Sequence, residues 1–205
     1  MGLKLKMFDD FKDDLSWSAK LFINQVWPQC KYFCGNGELL QMEGRPDNEL
    51  ASLFDIRAGI DGWQIHKDGM RGIASRVQVP NPMILNKFPY NSFTIRWKRD
   101  NNSMTEYEKR KLAIDTGRWI YPLITIQAYA KTESGPILSI GLAKTVDIFD
   151  FIKKGYHEFN RTFNAVFAIC YWNEMIRRGY EVKILNDIRK PNAGRPNAQE
   201  SNSRI

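Results

Sequence analysis

Residues 61–79 read D-G-W-Q-I-H-K-D-G-M-R-G-I-A-S-R-V-Q-V, and this stretch decides the fold. Lys67-Asp68-Gly69 is a hairpin signal, because Asp-Gly accommodates the positive backbone angles of a tight turn between strands. One strand is predicted before the turn, at residues 60–65. The strand after it, residues 70–79, alternates as a half-buried strand does. Its faces carry Ile73, Ser75, Val77 and Val79 on one side and Ala74, Arg76 and Gln78 on the other.

The residues around this hairpin predict a helix before it and a third strand after it. Asp47 has the residue type and position of a helix N-cap, and Gly59 is a suitable end for that helix. The third strand, residues 93–98, also alternates between apolar and polar side chains. If both alternating strands lie in one sheet, their polar side chains share a face. That predicted polar face consists of Arg76, Gln78, Arg96 and Lys98.

A second helix and two further strands are predicted beyond residue 100. Ser103 and Glu106 have the spacing of a capping box, and Gly117 is a typical helix end. Strands are then expected at residues 123–130 and 137–142. The capping role accounts for Glu106 fully, and a displaced carboxylate of a functional site is its alternative role.

Helices are also predicted on the outside of this core. The N-terminal one covers residues 10–29, where apolar residues recur at helical spacing and Pro28 ends the helix. Another begins at Thr145 or Asp147. A long helix at residues 156–178 is apolar over much of its girth, which predicts a packed outer layer or a contact in a homodimer.

We therefore expect one α/β domain over residues 1–186, with a central mixed β-sheet of four or five strands flanked by helices. The core of that domain is residues 47–131, and its helical layers are residues 10–29 and 145–180. Residues 187–205 have two prolines and no hydrophobic periodicity. This composition predicts a disordered tail.

The charge of the chain predicts a polyanionic partner. The 205 residues carry a net charge of +7. Ten Lys/Arg and four acids fall between residues 67 and 113, so this segment holds six of the excess positive charges. Such a concentration attracts nucleic acid, although a solvated surface is the commoner role of a charge run. The predicted nucleic-acid-binding residues are Arg76, Arg96, Lys98, Arg99, Lys109 and Arg110.

Several other classes of protein are disfavoured. Three cysteines argue against a disulfide framework and for a reducing compartment. Cys30 and Cys34 with two distant histidines are too few for a typical zinc site. The N-terminus turns acidic before any apolar run, and no apolar run spans a bilayer. We expect a cytoplasmic protein without a membrane partner.

The order of these elements resembles the core of the restriction-endonuclease-like, or PD-(D/E)xK, nucleases. In that family a helix acid, an Asp at a strand start and an E-x-K on the next strand hold divalent metal. Glu49 matches the helix acid, and Asp61 of G-I-D-G-W matches the Asp. Arg76-Val77-Gln78 stands where E-x-K is expected. The resemblance implies Mg²⁺ or Mn²⁺ held by Glu49 and Asp61, with Glu49, Asp61 and Gln78 as the catalytic set.

The replacement of E-x-K leaves two main functions open, because arginine offers no acceptor to a cation and suits a phosphate instead. One is a divergent metal-dependent nuclease that acts on DNA or RNA, with DNA the expected partner ahead of RNA. The other is a non-catalytic nucleic-acid-binding or partner-inhibiting protein on a degenerate nuclease fold, of the kind that phages and mobile elements carry. A third is an α/β interaction protein whose basic face meets an acidic partner.

Overall fold

A computed structural model describes residues 17–41, 59–80, 91–101, 103–118, 120–162 and 164–186. These residues form a mixed α/β structure with two sheets, of which the large sheet has the order β1-β2-β3-β5-β6-β9 and the small sheet β4-β8-β7. The predicted α/β class is confirmed, but the strands did not all join one sheet as expected. The large-sheet strands are β1 (Glu38–Gln41), β2 (Gly62–His66), β3 (Gly69–Gln78), β5 (Ile124–Ala130), β6 (Ile137–Lys144) and β9 (Val182–Leu185). The small-sheet strands are β4 (Ser92–Arg99), β7 (Glu158–Arg161) and β8 (Ala165–Tyr171).

The predicted hairpin forms the second and third strands of the large sheet. His66 of β2 pairs with Gly69 of β3, so Lys67 and Asp68 form the two-residue turn, and Gly69 supplies a positive φ of 143°. β1 pairs antiparallel to β2. β3 pairs parallel to β5, whereas the β5–β6 and β6–β9 pairs are antiparallel, which makes the sheet mixed as predicted.

The first helical segment runs past the residue predicted to end it. Residues 17–21 are α-helical, Phe22–Val26 form a π-helical turn, and α1 spans Trp27–Cys30. The backbone N–H of Trp27 donates to the carbonyl of Phe22, five residues back. The wider π turn shifts the hydrogen-bond register just before Pro28, and proline is tolerated in the first turn of the segment that follows. The prediction that Pro28 ends the helix was therefore wrong.

α2 spans Glu106–Thr116, and its cap differs from the predicted one. Thr105 is the N-cap, and it forms a capping box with Glu108 rather than the predicted Ser103–Glu106 pair. Both pairs fit the same four-residue pattern, and the chain uses the later one. Gly117 ends the helix at φ 62°, as predicted. The side chain of Glu106 is consequently available for other contacts.

The predicted long helix at residues 156–178 is wrong. β7 and β8 form an antiparallel hairpin there, followed by α4 (Trp172–Arg177). A continuous apolar run fits a buried strand as well as a buried helix, and the run at residues 165–171 is rich in β-branched and aromatic residues. The preceding α3 (Thr145–Lys153) forms as predicted.

The large sheet separates two hydrophobic clusters. Phe22 and Val26 pack with Ile73, Ile126 and the other residues of one face of that sheet. On the opposite side, a second cluster joins small-sheet residues to α3 and α4: Phe93, Ile95, Tyr129, Ile148, Phe151, Cys170 and Trp172 are among its members. The polar faces predicted from alternation meet in part where the two sheets approach, because Arg76 of β3 donates hydrogen bonds to Thr94 of β4, whereas Lys98 is exposed to solvent.

No helix among the described residues is long and apolar enough to cross a membrane. Glu49, the predicted helix at residues 47–58, residues 10–16 of the N-terminal helix and the tail at 187–205 lie outside the described residues.

Candidate nucleic-acid interface

Glu106 lies at the centre of a group of arginines contributed by three elements. Its Oε2 is 2.9 Å from Nη2 of Arg76 on β3, and its Oε1 is 2.5 Å from Nη1 of Arg110 on α2. The backbone N–H of Arg96 on β4 donates to Oε2 at 3.3 Å. One carboxylate thus joins both sheets to α2.

The capping arrangement explains why Glu106 is in this position. Thr105 accepts the N–H of Glu108, and its hydroxyl donates to the carbonyl of Trp97 at 3.2 Å, which fixes the start of α2 against the end of β4. Glu106 then projects from the first helical turn toward β3. Arg110 follows four residues later on the same face of the helix. Its side chain is 3% exposed, and its Nη2 donates to the carbonyl of Gly59 at 2.8 Å.

The arginines determine the charge state of Glu106. Burial by itself raises the pKa of this carboxyl group, but Arg110, Arg76 and the backbone N–H of Arg96 outweigh burial and hold the pKa at about 2. Charge neutralisation and hydrogen bonding to the ionised form both act in this direction. Glu106 is therefore a carboxylate at neutral pH.

Arg96 lies mostly among groups of its own charge, whereas Glu106 lies among groups of the opposite charge. Burial and the like charges of Arg76 and Arg99 lower the pKa of Arg96 to about 10, against the opposing effect of Glu106. Both guanidinium groups also form cation–π contacts with Phe167. The Cζ atoms of Arg76 and Arg96 lie 5.7 and 5.5 Å from the centre of the Phe167 ring. Arg76, Arg96, Arg99 and Arg110 together bring four positive charges to the single charge of Glu106. We call these five residues the arginine cluster.

A chain of polar side chains connects the cluster to the large sheet. Arg76 donates through Nη1 to the carbonyl and hydroxyl oxygens of Thr94, at 2.8 and 3.1 Å. The Thr94 hydroxyl donates to Oε1 of Gln127 at 3.1 Å, and Gln127 in turn donates to Oε1 of Gln78 at 3.1 Å. Gln127 pairs with Arg76 in the parallel β3–β5 ladder, so backbone register sets this chain of contacts.

The structure brings together some of the predicted nucleic-acid-binding residues. Arg76 and Arg96 converge as expected, although they do so across two sheets and not on one face. Lys98 is exposed, and Arg99 is half-buried and donates to the hydroxyl of Ser103 at 3.3 Å. Lys109 is half-buried on α2. Arg110 is enclosed, and this burial is a reason to treat it as a support of the cluster.

The predicted metal ligands are less well matched to a cation. Asp61 stands directly before β2, where it was predicted, and its Oδ2 accepts the backbone N–H of Ser75. The side-chain oxygen of Gln78 accepts a hydrogen bond from Gln127. Among the described residues, no group of three or more His, Cys, Asp or Glu could hold a metal ion. Asp61 and Gln78 alone do not fit Mg²⁺, which prefers several oxygen ligands, and Glu49 lies outside the described part of the chain.

Sequence reasoning missed Thr94, Gln127 and Phe167 as members of this site, and it gave Glu106 the capping role with a functional carboxylate as the alternative. The Thr105–Glu108 capping pair was a signal for Glu106, since a cap formed there leaves Glu106 free. Thr94 and Gln127 lay on the polar sides of their predicted strands. Phe167 carried no signal, because it was assigned to a helix.

Separate comparisons with protein-family models, with curated proteins and with solved structures found no match to this chain.

Proposed function

We propose that this protein binds nucleic acid through the sugar-phosphate backbone, with the arginine cluster as the centre of the contact. The observation that carries the proposal is that the like charges of Arg76 and Arg99 act on Arg96, while Glu106 is the one carboxylate among the described residues that is shown to offset them. Guanidinium groups bind phosphate oxygens bidentately and remain charged when partly desolvated. A bound phosphate would supply the negative charge that this region lacks.

Among the partly exposed arginines of the cluster, Arg96 is the expected contact residue for a phosphate group. Arg76 already uses both terminal nitrogens on Thr94 and Glu106, so its first role is to join β3 to β4 and α2. In Arg96 the backbone N–H donates the hydrogen bond to Glu106. The guanidinium group of Arg96 is therefore not used on that carboxylate. Exposed Lys98 continues the positive surface along β4.

Binding should depend strongly on salt. Each phosphate neutralised by a cation releases condensed counterions, so log K falls with log salt at a slope of roughly −0.9 for each contact on duplex DNA. We would measure the fluorescence anisotropy of labelled DNA and RNA of mixed sequence between low and high salt. An affinity that does not change with salt would reject phosphate contact.

Single substitutions test whether the arginine cluster is the nucleic-acid-binding surface. Arg96→Ala should weaken binding and reduce the salt slope by about one contact. Lys153→Ala, an exposed lysine at the end of α3, is the matched control and should leave affinity unchanged. Arg76→Ala should also weaken binding, but it removes contacts within the fold, so its thermal unfolding is compared with that of the wild type. Equal losses for Arg96→Ala and Lys153→Ala would show that only net charge matters.

A metal-dependent nuclease is the second candidate, and the observation that favours it is the position of Asp61. This carboxylate precedes β2 and is hydrogen-bonded to β3, the strand on which the family motif is expected. Cleavage of labelled DNA with Mg²⁺ or Mn²⁺ is compared for the wild type, Asp61→Asn and Asp68→Asn, whose aspartate lies in the exposed turn after β2. A nuclease predicts that only Asp61→Asn loses cleavage. Salt-dependent binding without cleavage by the wild type would remove this candidate.

A further inference from the structure

A cleft lies on the face of the large sheet that carries the first hydrophobic cluster, away from the arginine cluster. The first helical segment packs on this face, and the chain then turns between Lys31 and Asn36. Beyond that turn an open cleft of about 470 Å³ is bounded by Phe33 of the turn and by the ends of β5 and β6. Its volume is in the usual range of small-molecule sites.

The floor of the cleft is apolar. Leu142 of β6 is almost fully buried there, and Ile124 of β5 lies beside it. The outer wall consists of apolar side chains that are about half-exposed, including Phe33 and Leu123. Apolar surface that is both concave and accessible favours a ligand with an apolar body.

Strand register places three cations around this floor. Arg71 lies two residues before Ile73 on β3, so it shares the face of Ile73. Lys144 pairs with Ile124, and Lys183 pairs with Leu142, so both lysines also lie on the floor's face of the sheet. Three different strands therefore each contribute one positive side chain to the same cleft.

These cations are only partly neutralised. Glu181 is the one acid among the described lining residues, and its carboxylate oxygens are 4.0 Å from Nζ of Lys144 and 3.9 Å from Nζ of Lys183. Both distances are at the limit of an ion pair. Arg71 makes no ion pair with the described residues, and its charge opposes the burial that raises the pKa of Cys34 to about 11. The lining thus has an excess of two positive charges over an apolar floor.

We propose that this cleft binds a small soluble amphiphilic anion, a molecule with an apolar body and one carboxylate, phosphate or sulfonate group. The apolar body would cover Leu142 and Ile124, and the anionic group would lie between Arg71 and the two lysines. An inorganic anion leaves the floor exposed to water, and a neutral apolar molecule leaves the cations unmatched. The inference is independent of nucleic-acid binding, because it concerns another face of the large sheet and other residues.

The test uses 8-anilinonaphthalene-1-sulfonate, a fluorescent anion with an apolar body, and neutral N-phenyl-1-naphthylamine as its uncharged analogue. We expect saturable binding of the anion to one site and at least threefold weaker binding of the neutral probe. Octyl phosphate, kept below its micellar concentration, should displace the anion, and inorganic phosphate should not. Equal affinities for the two probes would overturn the proposal.

Charge variants make the test specific to the cleft. Arg71→Ala and Lys183→Ala should each weaken anion binding by about threefold, as expected for partly exposed charge pairs. Glu181→Gln should strengthen it, because a like charge is removed. Lys131→Ala, an exposed lysine after β5, is the control and should change nothing. All variants are checked by thermal unfolding, and a folded Lys183→Ala and Arg71→Ala with wild-type affinity would refute the assignment.

Discussion

Replacing Glu106 by glutamine tests the electrostatic role of the arginine cluster. The substitution keeps the shape of the side chain but removes the only negative charge in the cluster, so Arg76 and Arg110 lose their ionic partner. The shift of the Glu106 pKa from its ordinary 4.5 to about 2 corresponds to about 3 kcal/mol of stability. Removing one partner of a buried ion pair typically costs a similar amount.

The pH dependence provides the sharper part of this prediction. Because the folded pKa of Glu106 lies below the unfolded value, its contribution is complete above about pH 4.5 and is lost as the pH falls through about 2. The stability difference between wild type and Glu106→Gln should therefore narrow from about 3 kcal/mol at pH 7 to about 1.5 kcal/mol at pH 3.

Urea unfolding followed by circular dichroism measures this difference at both pH values. The matched control is Glu133→Gln, which changes an exposed carboxylate in the loop after β5 and should alter stability by less than about 0.5 kcal/mol. A loss below about 1 kcal/mol for Glu106→Gln at pH 7 would refute the reasoning. A difference that does not narrow at pH 3 would show that the charge of Glu106 is not the cause.

Two further variants test packing and capping. Gly141→Ala should destabilise the protein by about 3 kcal/mol or more, because the added methyl group overlaps the fully buried ring of Trp172. A thermal melt measures this, and Trp172→Leu in the same chain should recover part of the loss. Thr105→Ala should cost about 1 kcal/mol through the lost cap of α2, and Ser103→Ala should cost less. Equal melting temperatures for these two would contradict the observed cap.

Local signals predicted the elements in which chain neighbours decide the structure. The Lys67–Gly69 turn, the alternation of β3 and β5, and the Gly117 helix end are formed within a few residues, and all three were predicted correctly. The hairpin of β7 and β8 was missed because a run that is apolar on every side has no period to distinguish a strand from a helix.

The candidate site depended on contacts that are distant in sequence. The approach of Arg76 to Arg96 was predicted, but through a shared sheet face, whereas it results from the meeting of two sheets. Glu106 was assigned to a cap because two overlapping capping patterns compete for the same turn, and the sequence alone does not rank them. Phe167 depended on the misassigned hairpin.

The parallel pairing of β3 with β5 affects the chain while it is being synthesised. Residues 79–123 emerge from the ribosome between these two strands. At ordinary rates of translation this takes roughly 2–9 s, during which β3 is an open edge of the nascent sheet. An open edge can pair with the same edge of another nascent chain on a polysome. Ribosome-bound chains in which residue 124 is still inside the exit tunnel should therefore associate with one another more than chains in which residue 130 has left it.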